Sequence, residues 1–382
     1  MDKPKDSKIK AVILSQGNDL MSKRASIILQ ADFAANKHIS EVKELDMWSC
    51  VKVVVPKTDP HYSVNPETHQ PVLFNYLYKN SQLLSLKSQP EIIPSRLDFK
   101  ALSSWLIKEK PKIALALDPI SRDLALEIRR KERLTMGVIA VPSRFYVNAY
   151  WARDEGDLWA VALPENREQL LAEFVYDKRI IISGPLVGKA QFAPIEKSVA
   201  RKKIGWPQAG FFLGIVADGL LPGLVEELIE RLSAYPDMQL TLVIISSDKN
   251  LRTNLTEKAQ SFLCKMIITD MPDEPRFLLS SLDLVIFYHD ALYLPEVLSS
   301  QLPSIVISRK VYFKLREEEL NLLAAKNAIW RAGSLREVIW MTEQILKNRH
   351  ILKDFKNQIK KIFYPQPATS KIIEEIFIRI KK

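Results

Sequence analysis

The sequence has few cysteines and no long apolar run, and each absence narrows the class of protein. Its 2 cysteines, Cys50 and Cys264, lie far apart, so we expect a reduced, cytoplasmic protein with two buried thiols rather than a disulfide framework. No apolar stretch approaches the roughly 20 residues that span a bilayer. The N-terminus MDKPKDSKIKAVIL lacks the apolar core of a secretory signal, so neither a transmembrane nor a secreted protein is expected.

Common catalytic and nucleotide-binding motifs are missing too. The sequence contains no GxSxG, no Walker A and no GxGxxG motif. None of its 5 histidines is spaced from Cys, Asp or Glu as metal ligands usually are. We therefore predict no metal site and no cofactor.

Basic residues are in excess. The net charge of +10 favours an anionic partner, and residues 341–382 alone hold ten Lys and Arg against four Asp and Glu. Apolar residues recur in this tail near helical spacing: Ile345, Leu346, Ile351, Leu352, Phe355, Ile359, Ile362 and Phe363. The tail is either an ordinary helix with a solvated basic face or a helix that rests near anionic lipid headgroups, and composition leaves both open. Nucleic-acid binding would rest on net charge alone.

Short apolar runs alternate with amphipathic stretches, which is the pattern of βαβ units on parallel sheets. Strands are predicted at 10–15, 51–55, 113–117, 138–141, 159–163 and 180–183, and then at 211–216, 239–246, 266–269, 284–287 and 304–307. A length of 382 residues suits two domains. We predict an α/β protein with doubly wound, Rossmann-like domains at 1–184 and 185–350, and a helical tail at 351–382 that could cross back to the first domain.

Ligands of doubly wound domains bind at the carboxyl ends of the strands, so the loops after strands hold the candidate residues. After the first strand, Asp19 can cap a helix or face a ligand. In the loop after the fourth strand, Arg144 could serve an anion and Asn148 could bind a hydroxyl group. In the second domain, Lys249 follows the second strand and is either a phosphate partner or an ordinary exposed lysine.

The stretch FYHDALYLPEVLSSQLPSIVI, residues 287–307, reads as strand, loop, helix and strand. Its loop lacks the glycines that let backbone N–H groups approach a phosphate. Pro295 has no backbone N–H to donate and is tolerated only in the first turn of a helix, so the helix should begin near Leu294. Glu296 then lies in that turn, either as a favourable charge at the helix dipole or as a ligand of two ribose hydroxyls.

The order of these segments resembles the GT-B glycosyltransferases of the monogalactosyldiacylglycerol synthase and processive diacylglycerol glucosyltransferase type, and more distantly the peptidoglycan N-acetylglucosaminyl transferase. Segment 145–192, which begins FYVNAYW and ends SGPLVGKAQF, is similar to a family stretch with Thr-Asp-Phe, His, Trp and Thr-Gly-Ile-Pro. SSDKNLRTNL resembles the Gly-Lys-Asn segment, and LDLVIFYHDALYLPEVLSS resembles the Pro-Gly-Gly-Leu-Thr-Xaa-Ser-Glu segment. REEELN resembles Gly-Gln-Glu-Glu-Gly-Asn.

The resemblance implies a GT-B fold, in which two Rossmann-like domains face each other across a cleft, and transfer of a hexose from a UDP-sugar to a membrane lipid such as diacylglycerol. It places the donor on residues of the second domain. Glu296 would bind the ribose, and Met271 would lie near the uracil. The other implied donor-side positions are Lys249, Asn250, Asp290, Ala291, Glu318, Glu319 and Asn321.

The resemblance implies Asp19, Arg144 and Asn148 as the catalytic positions of the acceptor side, but the family's residues are changed there. Asp19 stands at the family's Gly-Gly-Gly-His, Arg144 at its Asp and Asn148 at its His, while Asp290 replaces a glycine beside the diphosphate. Two functions therefore stay open. One is a UDP-sugar-dependent glycosyltransferase, peripheral on the inner face of a membrane with an anionic lipid surface as partner and Asp19 as base. The other is a catalytically degenerate GT-B homologue that binds lipid or protein or regulates an active relative.

Overall fold

A computed structural model shows two compact α/β units. It describes residues 8–16, 19–53, 97–147, 149–152, 156–189, 195–235, 240–272, 274–288, 293–308, 314–362 and 366–380. The first unit comprises Met1–Gly188, Phe313–Leu315 and Tyr364–Lys382, and the second comprises Lys189–Tyr312 and Arg316–Phe363. Within the described residues, no helix combines the length and the apolar content needed to cross a membrane.

The first unit is built on a six-stranded sheet in which every neighbouring pair is parallel, in the order β2-β1-β5-β6-β7-β8. Its strands are β1 (Ile9–Ser15), β2 (Ile39–Asp46), β5 (Ile113–Ala116), β6 (Gly137–Ala140), β7 (Leu158–Val161) and β8 (Ile180–Ile182). A separate antiparallel pair joins β3 (Lys52–Val53) to β4 (Leu97–Asp98). The helices are α1 (Leu20–Ala34), α2 (Met47–Cys50), α3 (Lys100–Glu109), α4 (Pro119–Lys131) and α5 (Pro164–Ala172).

β1 runs between β2 and β5 near one side of this sheet, and its sequence IKAVILS explains why. Every residue except Lys10 is buried, as expected of a strand covered on both faces. Ala11 and Ile13 point into one apolar cluster, while Val12 and Leu14 point into another on the opposite face. Helices on both faces therefore close two separate cores.

The second unit repeats this architecture with a parallel sheet in the order β11-β10-β9-β12-β13-β14. Its strands are β9 (Phe211–Val216), β10 (Leu240–Ile245), β11 (Lys265–Thr269), β12 (Leu284–Tyr288), β13 (Ser304–Ile307) and β14 (Trp330–Ala332). Its helices are α6 (Lys197–Lys203), α7 (Pro222–Ser233), α8 (Lys249–Lys258), α9 (Arg276–Ser281), α10 (Leu294–Ser299), α11 (Lys314–Ala325), α12 (Leu335–Lys347) and α13 (His350–Lys360). The prediction of two doubly wound α/β domains is confirmed.

The basic tail is divided between the units. Ile345, Leu346, Phe355, Ile359 and Ile362 are buried, and Ile351 and Leu352 pack against the core of the second unit. These apolar residues are therefore not available to a bilayer, which favours an ordinary packed helix for the apolar side of the tail. Phe363 lies outside the described residues. The last helix, α14 (Ala368–Ile380), belongs to the first unit, where Thr369 Oγ1 donates to Asp32 Oδ2 at 2.5 Å.

Three expectations need correction. The described part of the run at 51–55 pairs only with β4, outside the six-stranded sheet. Cys50 and Cys264 are free thiols, but both are partly exposed rather than buried. Three strands, β2, β4 and β14, were not predicted. β2 has the sequence ISEVKELD, whose charges hide its periodicity, and β14 has only 3 residues.

Candidate functional site

The first sheet has a topological switch point between β1 and β5, because β2 extends the sheet from β1 in one direction and β5 in the other. Ligands of open parallel sheets bind at the carboxyl ends of the strands beside such a point. The residues there are Gln16 and Asp19 after β1 and Asp118 after β5. The loop after β6 adds Arg144. The chain therefore gathers polar side chains at the edge of the sheet where ligands of open parallel sheets bind.

Asp118 caps α4 from a buried position. It is only 5% exposed, and its carboxylate accepts hydrogen bonds from Ser121 N at 2.9 Å and from Ser121 Oγ. Burial disfavours the ionised form and raises the pKa of Asp118 from 3.8 to about 6, although the hydrogen bonds from Ser121 oppose this shift. Both carboxylate oxygens are engaged by the protein, so Asp118 is a cap with unusual titration rather than a group open to substrate.

Asp19 and Arg144 form an ion pair. Arg144 Nη2 donates to Asp19 Oδ1 at 3.2 Å across 125 positions of sequence, and each side chain is about a quarter to a third exposed. Asp19 is also the N-cap residue of α1, but its side chain makes no capping hydrogen bond. The carboxylate therefore points to Arg144 instead of the helix, and two predicted catalytic positions are brought together.

Buried side chains bind the backbone of the loop that carries Arg144 and of the short helical turn at 149–152. Buried Asn166 donates to Phe145 O at 2.9 Å and accepts from Leu163 N at 3.0 Å. Fully buried Arg122 donates to Trp151 O at 2.7 Å, and Trp159 Nε1 donates to the same oxygen at 2.8 Å. Arg144 thus directly precedes a residue whose backbone oxygen accepts from a buried side chain.

The second sheet has its switch point between β9 and β12. Gly219, in the turn after β9, has a φ of +83°, and a Cβ there would meet Tyr288 Cδ1 at 3.2 Å. Glycine is needed for both reasons, since L side chains rarely adopt this φ. Sequence reasoning missed this glycine, which lies on the loop next to the stretch 287–307 and packs against Tyr288 of β12.

Asp218, next to this glycine, accepts hydrogen bonds from several donors of the neighbouring loop. Its Oδ1 accepts from Ser247 N at 2.9 Å, Ser246 Oγ at 3.0 Å and Ser247 Oγ at 3.1 Å. Asp248 then caps α8 by accepting from Asn250 N at 2.8 Å and Leu251 N at 3.3 Å. Two protein carboxylates therefore occupy donors that an anionic ligand could otherwise use.

The other donor-side positions of this edge are partly engaged. Lys249 and Asn250 are exposed on the first turn of α8. Met271 follows β11, is half-buried, and its N–H donates to Asp270 Oδ1 at 2.7 Å. Glu296 lies in the first turn of α10, which begins at Leu294 as predicted, and is only 1% exposed. The carboxylate of Glu296 is therefore almost fully enclosed by the protein.

Arg331 on β14 organises the acidic segment of α11. It donates to Ser308 Oγ at 2.6 Å, to Glu317 Oε1 at 3.1 Å and to Asn321 Oδ1. Glu319 is buried, Glu318 is half-buried and Asn321 is exposed. Sequence reasoning missed Arg331 because it lies on the short strand that was not predicted.

An Arg331→Met variant is expected to lower the free energy of unfolding of the second unit by about 1–2 kcal/mol, because three hydrogen bonds from a partly buried guanidinium are lost. Hydrogen exchange of the amides of β13 and β14 measures this change. The matched control is Arg231→Met, whose ion pair with Glu227 is exposed and should cost at most about 0.5 kcal/mol. Equal effects of both substitutions would contradict the assigned role of Arg331.

Three predicted site residues, Asn148, Asp290 and Ala291, lie outside the described residues. Within the described part of the chain, no group of three or more His, Cys, Asp or Glu side chains could hold a metal ion. The residues that the structure brings together are therefore Asp19 with Arg144 in the first unit, and Asn321 with Glu317 and Arg331 in the second.

No family model and no curated protein matches the chain. Several solved structures are similar to the chain over nearly its whole length. MurG of Acinetobacter baumannii has a TM-score of 0.59 and 13% identity, with 97% of this chain and 99% of that chain covered. A Neisseria meningitidis UDP-GlcNAc 2-epimerase bound to UDP-GlcNAc has a TM-score of 0.57 and 14% identity, covering 97% and 99%. The glycotransferase of kitacinnamycin has a TM-score of 0.59 and 11% identity, covering 96% and 99%.

These likenesses extend over nearly the whole chain and confirm the predicted GT-B fold. At 11–14% identity they show the fold alone, and they do not single out the lipid glycosyltransferases that the motifs resemble.

Proposed function

We propose that the protein is a nucleotide-sugar-dependent glycosyltransferase that moves a hexose from a UDP-sugar to a membrane lipid. The observation that carries the proposal is the switch point of the second sheet, which lies between β9 and β12. The helix after β12 is α10, and Glu296 lies in its first turn. Sheets of this kind bind nucleotides at such a point. The similarity in fold to an epimerase bound to UDP-GlcNAc supports a nucleotide sugar as the ligand.

On the donor side, Glu296 would accept hydrogen bonds from the two ribose hydroxyls. Glu318, Glu319 and Asn321 would meet the sugar hydroxyls, with Asn321 oriented by Arg331. The remaining donor-side positions would line the nucleotide: Lys249, Asn250, Met271, Asp290 and Ala291. No metal ion is invoked in this arrangement.

On the acceptor side, Asp19 would be the base and Arg144 a positioning residue that fixes the carboxylate. The lipid hydroxyl oxygen attacks C1 of the sugar and the bond from C1 to the phosphate oxygen breaks. UDP leaves with the electron pair, and the hydroxyl proton passes to Asp19. Asn148 would bind a hydroxyl group of the acceptor.

Calorimetric titration with UDP and UDP-sugars tests the proposal. Micromolar binding of UDP is expected, followed by transfer of labelled hexose into diacylglycerol in mixed micelles. Folded protein that binds neither UDP nor any UDP-sugar would overturn the proposal and leave the degenerate homologue.

A Glu296→Gln variant is expected to bind UDP about 10- to 100-fold more weakly, because hydrogen bonds to a charged group are worth about 1.5–3 kcal/mol. The matched control is Glu165→Gln in the first unit. Glu165, like Glu296, directly follows a proline in the first turn of a helix, α5, and has no proposed role with the donor. UDP affinity should be unchanged in this control, and equal affinity in both variants would remove Glu296 from the site.

A further inference from the structure

A largely buried carboxylate of the second unit is shared by two cations. Asp283 directly precedes β12, and its Oδ1 accepts a hydrogen bond from Lys197 Nζ of α6. Its Oδ2 accepts from Arg201 Nη2 at 2.7 Å and from Phe212 N at 2.8 Å. Both oxygens are therefore engaged, and the positive charge of the two basic side chains exceeds the negative charge of Asp283.

Lys356 on α13 adds another cation beside this group. Its side chain is half-buried, and among the described residues no acidic side chain forms an ion pair with it. Burial lowers the pKa of the Lys356 amine from its ordinary value of 10.5, and the charge of Lys197 lowers this pKa further. The carboxylates of Asp283 and Glu196 oppose the shift, whereas Lys360, one helical turn away, adds to it.

The acidic residues around Lys356 do not balance the cations. The cations of the group outnumber its acids: Lys197, Arg201, Lys356 and Lys360 against Glu196 and Asp283. Asp354 is the only acidic residue of α13, and it lies about 160° from Lys356 around the helix axis. The group therefore has an excess of positive charge, and it contains one amine that no described carboxylate neutralises.

We propose that Lys356 is a site of acylation by acyl phosphates. A lysine that is desolvated or lies next to another cation is an activated nucleophile, because more of its amine is unprotonated at neutral pH. Lys356 Nζ attacks the acyl carbon, the bond from this carbon to the phosphate oxygen breaks, and phosphate leaves with the electron pair while the amine releases a proton to water. The neighbouring cations favour this reagent because it is anionic. None of these residues has a proposed role with the donor or the acceptor, so acylation of Lys356 is independent of the proposed transfer.

Incubation of the intact chain with acetyl phosphate, followed by mass spectrometry of its peptides, tests the proposal. Lys356 is expected to be acetylated severalfold faster than Lys353, which lies on the same helix and is exposed. Accessibility alone would give the opposite order, since Lys356 is the more buried of the two. A rate at Lys356 that is equal to or below the rate at Lys353 would overturn the proposal.

Two variants test the role of the neighbouring charges. Lys197→Met should slow acetylation of Lys356 severalfold, and Lys360→Gln should slow it by a smaller factor, because each removes a cation that favours the unprotonated amine. Lys361→Gln is the matched control for Lys360→Gln, since Lys361 is also exposed but lies about 140° from Lys356 around the helix axis. It should leave the rate at Lys356 unchanged, and equal rates in these two variants would contradict the role of the cations.

A second reagent tests the choice of acyl phosphates. N-succinimidyl acetate transfers the same acetyl group but is uncharged, so the cations around Lys356 do not attract it. The excess of the rate at Lys356 over the rate at Lys353 should therefore be smaller with this reagent than with acetyl phosphate. An equal excess with both reagents would overturn the preference for acyl phosphates.

Discussion

An Asp19→Asn variant is expected to lose hexose transfer by about 10²–10⁴-fold, the contribution that a general base typically makes. An amide cannot take the proton of the acceptor hydroxyl, although its oxygen can still accept a hydrogen bond from Arg144 Nη2. UDP affinity should not change, because Asp19 belongs to the first unit and the donor residues belong to the second. The measurement is the initial rate of label transfer at saturating UDP-sugar.

Asp46→Asn is the matched control for this substitution. Asp46 is the last residue of β2 in the same sheet and, like Asp19, the N-cap residue of a helix; its carboxylate accepts from Trp48 N at 3.1 Å. It has no proposed catalytic role, so transfer should stay near the unchanged rate. If Asp19→Asn retains full transfer while the unchanged chain is active, Asp19 is not the base.

Most of the fold could be predicted because buried parallel strands are continuous apolar runs. Phe211–Val216 and Ser304–Ile307 have the predicted bounds, and both are buried at every residue. β2 could not be predicted in the same way, since it pairs on one side only and carries alternating charges. A strand at the edge of a sheet needs charge more than apolar continuity.

The polar contacts of the site were harder to predict than its position. The loop rule placed Asp19 and Arg144 at the same edge of one sheet, but only the folded chain shows that they pair with each other. Asp218 has no signature in sequence, because its role depends on Ser246 and Ser247, which follow the neighbouring strand β10. Contacts across strands depend on register, which periodicity does not give.

Folding stability is expected to fall as the pH rises from about 4 to 7, by about 3 kcal/mol from Asp118 alone. Its pKa is raised from 3.8 to about 6 in the folded protein because the carboxyl group is buried. Between these two values the folded state binds more protons than the unfolded state, so raising the pH favours unfolding. Asp118→Asn removes this titration and keeps a side-chain oxygen to accept from Ser121 N.

The comparison of the variant with the unchanged chain at each pH isolates Asp118, because all other titrating groups are shared. Hydrogen exchange of the amides of β1 and β5 reports the opening of the first unit, and the ratio of the two proteins cancels the intrinsic exchange rate. The free energy of opening of the variant, relative to that of the unchanged chain, should rise by about 3 kcal/mol from about pH 4 to about pH 7. Asp248→Asn is the control, because it makes the same substitution at an exposed N-cap residue. At neutral pH it should change the free energy of unfolding by about zero. Parallel pH curves for Asp118→Asn and the unchanged chain would mean that the buried carboxyl group ionises as readily as one in water.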